Sequence, residues 1–436
     1  MQIIQFFLAL SLMVILHEFG HYITARIFGV RVDKFYLFFN PFFTLFKYKS
    51  KKSNTEYGIG WLPLGGYVKL SGMVDESFDT KFTKTEPKPY EFRSKPAWQR
   101  LIIMSAGVIM NFITAIVVFA MLLFAKGEEY ISLDDAKYGM EFSSVAHKQG
   151  FEDGDILLKA DGIKLESLSE ESLRLMFNAT QVSVLRDADT LQINISENFM
   201  AELITCREGF ASFRTPYVVH SVMPVTPAEI AGLQAGDSLV SINGEKFTFV
   251  SEYSPVLAKY PLTEITLGLY RGGEYIEKRI TPDANGKIGT YLKPYYEFYN
   301  ITRKEYGFFE SFPAGIVKAY KKITGYASDT KMLFTKAGAE SVGGFGSIVR
   351  LFPDTFNMVY FWNIVAYMSV VLAFMNILPI PGLDGGHIFF LIIEIIRRKP
   401  LSTETIYKAQ QIGIIILLLL VFYANGMDIY RWITGG

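Results

Sequence analysis

Residues 2–27 read QIIQFFLALSLMVILHEFGHYITARI. The stretch is long enough to cross a ~30 Å hydrocarbon core, which takes roughly 20 helical residues. Its ionisable groups before Arg26 are His17, Glu18 and His21, spaced H-E-x-x-H. On a helix with 3.6 residues per turn, positions four apart fall about 40° from each other, so both imidazoles face one point. Glu18 projects beside them, where it can take a proton from a metal-held water. Ionisable groups inside a span cost roughly several kcal/mol on insertion scales and are normally functional. A chance pair of helical histidines is a poor explanation in that setting. A cleaved signal peptide is also disfavoured: nothing basic precedes the stretch and no small-x-small site follows it.

Three further stretches have the length and apolarity of spans. One runs from Leu101 to Ala125, with Asn111 as its one strongly polar residue; one begins near Val359 and carries no charge until Asp384; one lies between Lys408 and Asp428. Residues 26–100 hold fourteen Lys or Arg against seven acids, and Arg397, Arg398 and Lys399 close the third span. The positive-inside rule makes both regions cytoplasmic and puts the termini and residues 126–357 on the opposite side. The 436 residues carry 43 basic and 43 acidic side chains, so a dominant nucleic-acid partner is not suggested. The mean hydropathy of +0.23 fits a chain that is part membrane and part soluble. One cysteine, Cys206, cannot form an internal disulfide.

The third metal ligand must come from another span. Asn376-Ile377-Leu378-Pro379-Ile380-Pro381-Gly382-Leu383-Asp384-Gly385-Gly386-His387 is the source, because its prolines and glycines cannot form an unbroken helix. Irregular backbone at membrane depth is tolerated where it is packed in protein or lines a wet cavity. Asp384 is the favoured ligand, since two histidines and a carboxylate suit a hydrolytic zinc site; His387 competes with it. Glu394, near the basic cluster, reads as a snorkelling surface charge.

The segment after the second span is a tandem repeat. VAHKQGFEDGDILLKADGIKL (145–165) and PAEIAGLQAGDSLVSINGEKF (227–247) align at an offset of 82, pairing Gly150 with Gly232, Gly154 with Gly236, Asp155 with Asp237 and Gly162 with Gly244. Each copy has a short helix-like run, a Gly-x-x-x-Gly-Asp turn and an alternating strand. Each resembles a PDZ domain, a fold that can bind extended peptides at a sheet edge; a spacer or steric gate is the other reading.

Taken together, HEFGH, the NILPIPGLDGG run, Leu64-Gly65-Gly66-Tyr67-Val68 and the tandem units resemble the site-2 protease family of intramembrane metalloproteases, in its RseP type, across nearly the whole chain. The resemblance implies zinc on His17, His21 and Asp384, with Glu18 as general base. It implies a membrane re-entrant β element at 33–72 that aligns substrate, with Gly65, Gly66, Asn376 and Asn111 as substrate contacts. It also implies a bacterial inner-membrane enzyme with periplasmic termini and PDZ-like units. Its substrates would be single-span proteins, either pre-trimmed anti-sigma factors or signal-peptide remnants. A peripheral helix near 310–340, with Ile316, Tyr320, Ile323 and Ala327 as its apolar stripe, would follow the repeats. The second span departs from the usual Gly-Pro with Gly107-Val108-Ile109-Met110-Asn111, and Gly343-Gly344-Phe345-Gly346 replaces the usual Gly-Pro before the third.

The expected fold is a mixed membrane protein: a four-span α-helical core, a re-entrant β element and two extracytoplasmic PDZ-like α/β domains. The expected partition is 1–28 first span, 29–98 cytoplasmic and re-entrant β region, 99–126 second span, 127–213 and 214–292 PDZ-like units, 293–357 linker and peripheral helix, 358–397 broken third span and 405–433 fourth span. The alternative function is a proteolytically inactive PDZ membrane scaffold.

Overall fold

Helix α1 (Gln2–Ile27) is followed by β1 (Val32–Lys49), β2 (Glu56–Leu70) and α2 (Ala97–Lys126). These are taken from a computed structural model that describes residues 1–73, 86–206 and 208–434. The β1–β2 pair is more than a simple hairpin. Thr44–Lys49 pairs with Glu56–Gly60, while Leu37 pairs with both Ile59 and Gly66. Gly58 and Gly60 permit this fold-back: a Cβ on Gly58 would sit 2.3 Å from the Tyr36 ring, and one on Gly60 would sit 2.1 Å from the Phe39 carbonyl oxygen. The turn region exposes Phe42, Phe43, Leu45 and Phe46. Part of the expected 29–98 region, residues 74–85, lies outside the described residues.

Residues Glu128–Lys304 form a unit of their own, distinct from Met1–Gly127 with Glu305–Gly436. Its first half holds β3 (Glu128–Ile131), β4 (Met140–Phe142), α3 (Ser144–Gln149), β5 (Ile156–Ala160), β6 (Ile163–Lys164), α4 (Glu170–Phe177), β7 (Gln181–Arg186), β8 (Asp189–Asn194), α5 (Phe199–Cys206) and β9 (Ala211–Phe213). The second half holds β10 (Val219–Val222), α6 (Pro227–Ile230), β11 (Ser238–Ile242), β12 (Glu245–Lys246), α7 (Val250–Leu257), β13 (Ile265–Arg271), β14 (Glu274–Ile280), β15 (Thr290–Leu292) and β16 (Ile301–Lys304). The halves repeat one topology: antiparallel sheets ordered β6-β5-β7-β8 and β12-β11-β13-β14, each with a separate apolar core. Strand β16 pairs with β3, so the unit opens and closes on one ribbon. Residues 301–304 therefore belong to this unit and not to the linker expected from residue 293.

The repeat extends to an ion pair made by a buried aspartate. Asp155 Oδ1 accepts from Arg186 Nε at 2.7 Å, and Asp237 Oδ1 accepts from Arg271 Nε at 2.7 Å. In each copy the same arginine also donates to a glycine carbonyl, Gly150 at 2.8 Å and Gly232 at 2.9 Å. The Gly-Asp of the sequence motif is thus a device that fixes the turn before the central strand.

The chain then runs through α8 (Phe308–Asp329), α9 (Lys336–Ser341), α10 (Phe345–Val349), α11 (Met358–Ile377), α12 (Asp384–Arg397) and α13 (Thr403–Thr434). Among the described residues four helices, α1, α2, α11 and α13, are long and apolar enough to cross a membrane. The 20-residue α11 spans about 30 Å at 1.5 Å per residue, the thickness of the hydrocarbon core. Helix α8 carries the stripe expected of a peripheral helix on one side and packs by another. Ile316 and Tyr320 are exposed, and the buried line is Ser311, Gly315 and Ala319. Gly315 lies against Ile116 and Ala120 of α2, where a Cβ would be 2.9 Å from backbone. Small residues let two helix backbones approach, and Gly315 marks the close contact with α2, with Ile323 and Tyr326 packed further along the helix.

Burial pushes the Asp237 carboxyl up, but hydrogen bonds from Arg271 and the Gln234 N–H outweigh it and hold the group below its ordinary range. A carboxylate depressed in the folded state contributes fully above its unfolded pKa and loses that contribution as pH falls through the folded value. Asp237→Asn should lower the melting temperature at pH 7 and flatten the further drop seen between about pH 5 and pH 3. Melting curves of the full chain at a series of pH values would measure this, and equal acid sensitivity in both proteins would reject it.

Candidate metal and catalytic site

Two glycines on facing helices let α1 and α2 cross closely. A Cβ on Gly20 would lie 2.4 Å from the Ala106 carbonyl oxygen. A Cβ on Gly107 would lie 2.3 Å from His21 Nε2 and 2.6 Å from His17 Cε1. The α2 backbone therefore stands directly behind the two imidazoles. This proximity also supplies a hydrogen bond, His21 Nδ1 to the Ile103 carbonyl at 2.9 Å. Because a carbonyl only accepts, the His21 proton is on Nδ1 and the Nε2 lone pair is free to point elsewhere.

The third element is the break between α11 and α12. Residues 378–383 leave the helix, Gly382 takes φ 97°, and α12 begins at Asp384. Gly385 and Gly386 pack the first turn of α12 against the break; a Cβ on Gly385 would be 1.9 Å from the Leu378 carbonyl oxygen. That compact reversal turns Asp384 toward α1. His17 Nε2 and His21 Nε2 each lie 3.1 Å from Asp384 Oδ2, and the two nitrogens are 3.4 Å apart. Both rings are buried.

This triangle fits a tetrahedral metal. Bonds of about 2.0–2.1 Å give a tetrahedron with edges of roughly 3.3 Å, leaving a fourth corner for water. The donor set of two imidazoles and one carboxylate suits zinc. Among the described residues, these three form the group able to converge on one ion.

Glu18 borders the same cavity, of about 910 Å³, together with Gly65, Gly66, Asn376 and Asp384. The Val68 backbone N–H reaches the Glu18 carboxylate. Gly66 makes that approach possible, since a Cβ there would meet Val14 Cγ1 at 2.7 Å. The Leu64-Gly65-Gly66 run thus lies within β2 and is not a simple turn. Asn376, on the last turn of α11, is largely buried at the cavity wall.

Two expectations change, and the favoured ligand keeps its place over the competing one. Asn111, expected at the substrate, is fully buried and its Nδ2 lies 3.0 Å from His17 Nδ1. His387, the competing ligand, instead has its Nε2 at 2.5 Å from Gln410 Nε2 of α13 and takes no part in the triangle. Glu394 is buried and forms an ion pair with Arg100 of α2, so it is not a snorkelling surface charge. Helix packing, which sequence position alone does not give, supplied the cation. Sequence reasoning also missed Gly107, Ile103 and Val68, two of which act through their backbones. Gly107 carried a signal: it stands four residues before Asn111, on the same face of one helix.

The profile of peptidase family M50 matches residues 5–420. The chain belongs to that family. Regulator of sigma-E protease RseP of Escherichia coli is 29% identical to it, covering 98% of both chains. A protein of Vibrio cholerae, provisionally named a zinc metalloprotease, is 28% identical with 98% of each chain covered. The regulator of sigma E protease of Haemophilus influenzae is 28% identical over the same share. This M50 chain is a metalloprotease, and the names of its relatives support zinc as the metal.

Gly107→Ala in the M50 chain should push both imidazoles off the triangle. Metal analysis of the purified variant should find the bound ion largely lost while helix content by circular dichroism is kept. Full retention of metal would show that the ring positions do not depend on that gap.

Proposed function

We propose that the chain is an intramembrane zinc endopeptidase that hydrolyses peptide bonds in the spans of single-pass membrane proteins. The observation that carries this reading is the meeting of His17, His21 and Asp384 within 3.1–3.4 Å, with both histidines on a helix long and apolar enough to cross a membrane. When bound there, zinc supplies a Lewis acid that lowers the pKa of its water and polarises the scissile carbonyl.

The protein's own groups do the rest. His17, His21 and Asp384 would hold the ion and leave one position open. Glu18 takes the proton from the attacking water as the new C–O bond forms, then delivers it to the amide nitrogen as the C–N bond breaks. Its carboxylate is steadied for this by the Val68 N–H. A helical substrate hides its backbone in its own hydrogen bonds, so a span must be unwound before cleavage. Strand β2 near Gly65 and Gly66, and the Asn376 amide, line the cavity and are suited to hold such an extended backbone.

The substrates of this reading are pre-trimmed anti-sigma factors, with signal-peptide remnants as a related class; the names of relatives as regulators of sigma-E support the first. The repeats at 128–304 act as PDZ-like units that bind peptide or gate access. In this reading residues 26–100 lie on the cytoplasmic side of the bacterial inner membrane and the termini and repeats on the periplasmic side, an orientation supported by the basic residues of that region.

Glu18→Gln should retain zinc and lose at least 100-fold in cleavage of a membrane-inserted anti-sigma span, consistent with removal of a general base. Cleavage by that variant within tenfold of the native protein would reject the mechanism. A fully active protein free of zinc would reject the metal.

A further inference from the structure

We infer that Asn111 is a positioning residue for the metal, holding His17 in the one tautomer able to ligate through Nε2. The inference rests on the metal site proposed above and extends it by assigning a task to a side chain outside the triangle.

The two imidazoles face the same requirement. Each presents Nε2 toward Asp384 Oδ2 at 3.1 Å. For Nε2 to offer a lone pair, a neutral ring must carry its proton on Nδ1. That proton needs an acceptor, because the site is buried and a lost hydrogen bond there is costly. His21 finds its acceptor in the Ile103 carbonyl, at 2.9 Å. The Nδ1 of His17 has Asn111 as its neighbour, at 3.0 Å.

The Asn111 amide is fully buried, and its Oδ1 has no hydrogen-bond partner while Nδ2 faces the ring. Amide oxygen and nitrogen occupy the same space and are told apart by their hydrogen bonds alone. With nitrogen toward the ring, Asn111 would donate to Nδ1 and force the proton onto Nε2, where it would block the metal. With oxygen toward the ring, Oδ1 gains a partner and accepts Nδ1–H, leaving Nε2 open. A metal-bound site therefore selects the second orientation. Outer partners of this kind orient ligating histidines and raise their basicity.

The placement explains a local sequence pattern. Gly107 and Asn111 lie one turn apart on α2, and Ile103 lies one turn before Gly107. One face of one helix thus offers a carbonyl for His21, a gap for both rings and an amide for His17.

The test measures zinc affinity, by competition with a chromogenic chelator, on the full-length protein in detergent. Asn111→Leu keeps the volume and removes the acceptor; Asn111→Asp keeps the acceptor. The leucine variant should bind zinc 10–100-fold more weakly, and the aspartate variant should bind more tightly than leucine. A role in packing alone predicts the reverse order. Asn111→Ala serves if leucine does not fold, with the same expected weakening. Leucine or alanine variants binding within twofold of the native protein, or aspartate no better than leucine, would overturn the inference. Native protein that binds no zinc would instead defeat the metal site itself, so the two failures are distinct.

Discussion

Everything in the membrane unit depends on keeping three ionisable donors together at a depth where none is tolerated alone. An unpaired imidazole or carboxylate in such a place is expensive, and a metal or a set of hydrogen bonds is what offsets the cost. Here the offset is built from close backbone approach. Gly20 and Gly107 bring α1 and α2 together, and Gly385 and Gly386 fold the start of α12 against the break behind it. With Cβ atoms at these positions the helices would be forced apart, and the donors with them.

The same principle recurs away from the triangle. The Gly66 backbone passes beside α1, which lets the Val68 amide reach Glu18. Gly413 of α13 sits against the break, where a Cβ would be 1.7 Å from the Pro381 carbonyl oxygen. Irregular backbone at 378–383 is thereby covered by protein, as a low-dielectric setting requires. Glycine is used here for proximity, which complements its more familiar use in turns such as Gly382.

Polar groups that looked separate in the sequence are coupled by the same helices. Glu394 on α12 meets Arg100 on α2, and Asp384 on α12 meets histidines that lean on α2. The ion pair at one end of α12 and the triangle at the other both fix that helix to α2. In the unit at 128–304, Asp155–Arg186 and Asp237–Arg271 perform a like service, tying the Gly-Asp turn to the sheet in each copy.

The sequence by itself determined the spans, the repeat and the H-E-x-x-H pair, because each is a matter of local composition or helical spacing. Residues 17 and 21 share a face in any helix, and residues 378–383 break a helix in any fold. Tertiary structure decided what depends on neighbours distant in the chain. It set Asp384 rather than His387 beside the two histidines, turned Asn111 to His17, buried Glu394 on Arg100 and set Gly315 of α8 against α2. The reason is that spacing fixes direction around one helix axis, whereas the distance between two axes is set by the side chains, and the absent side chains, that meet between them.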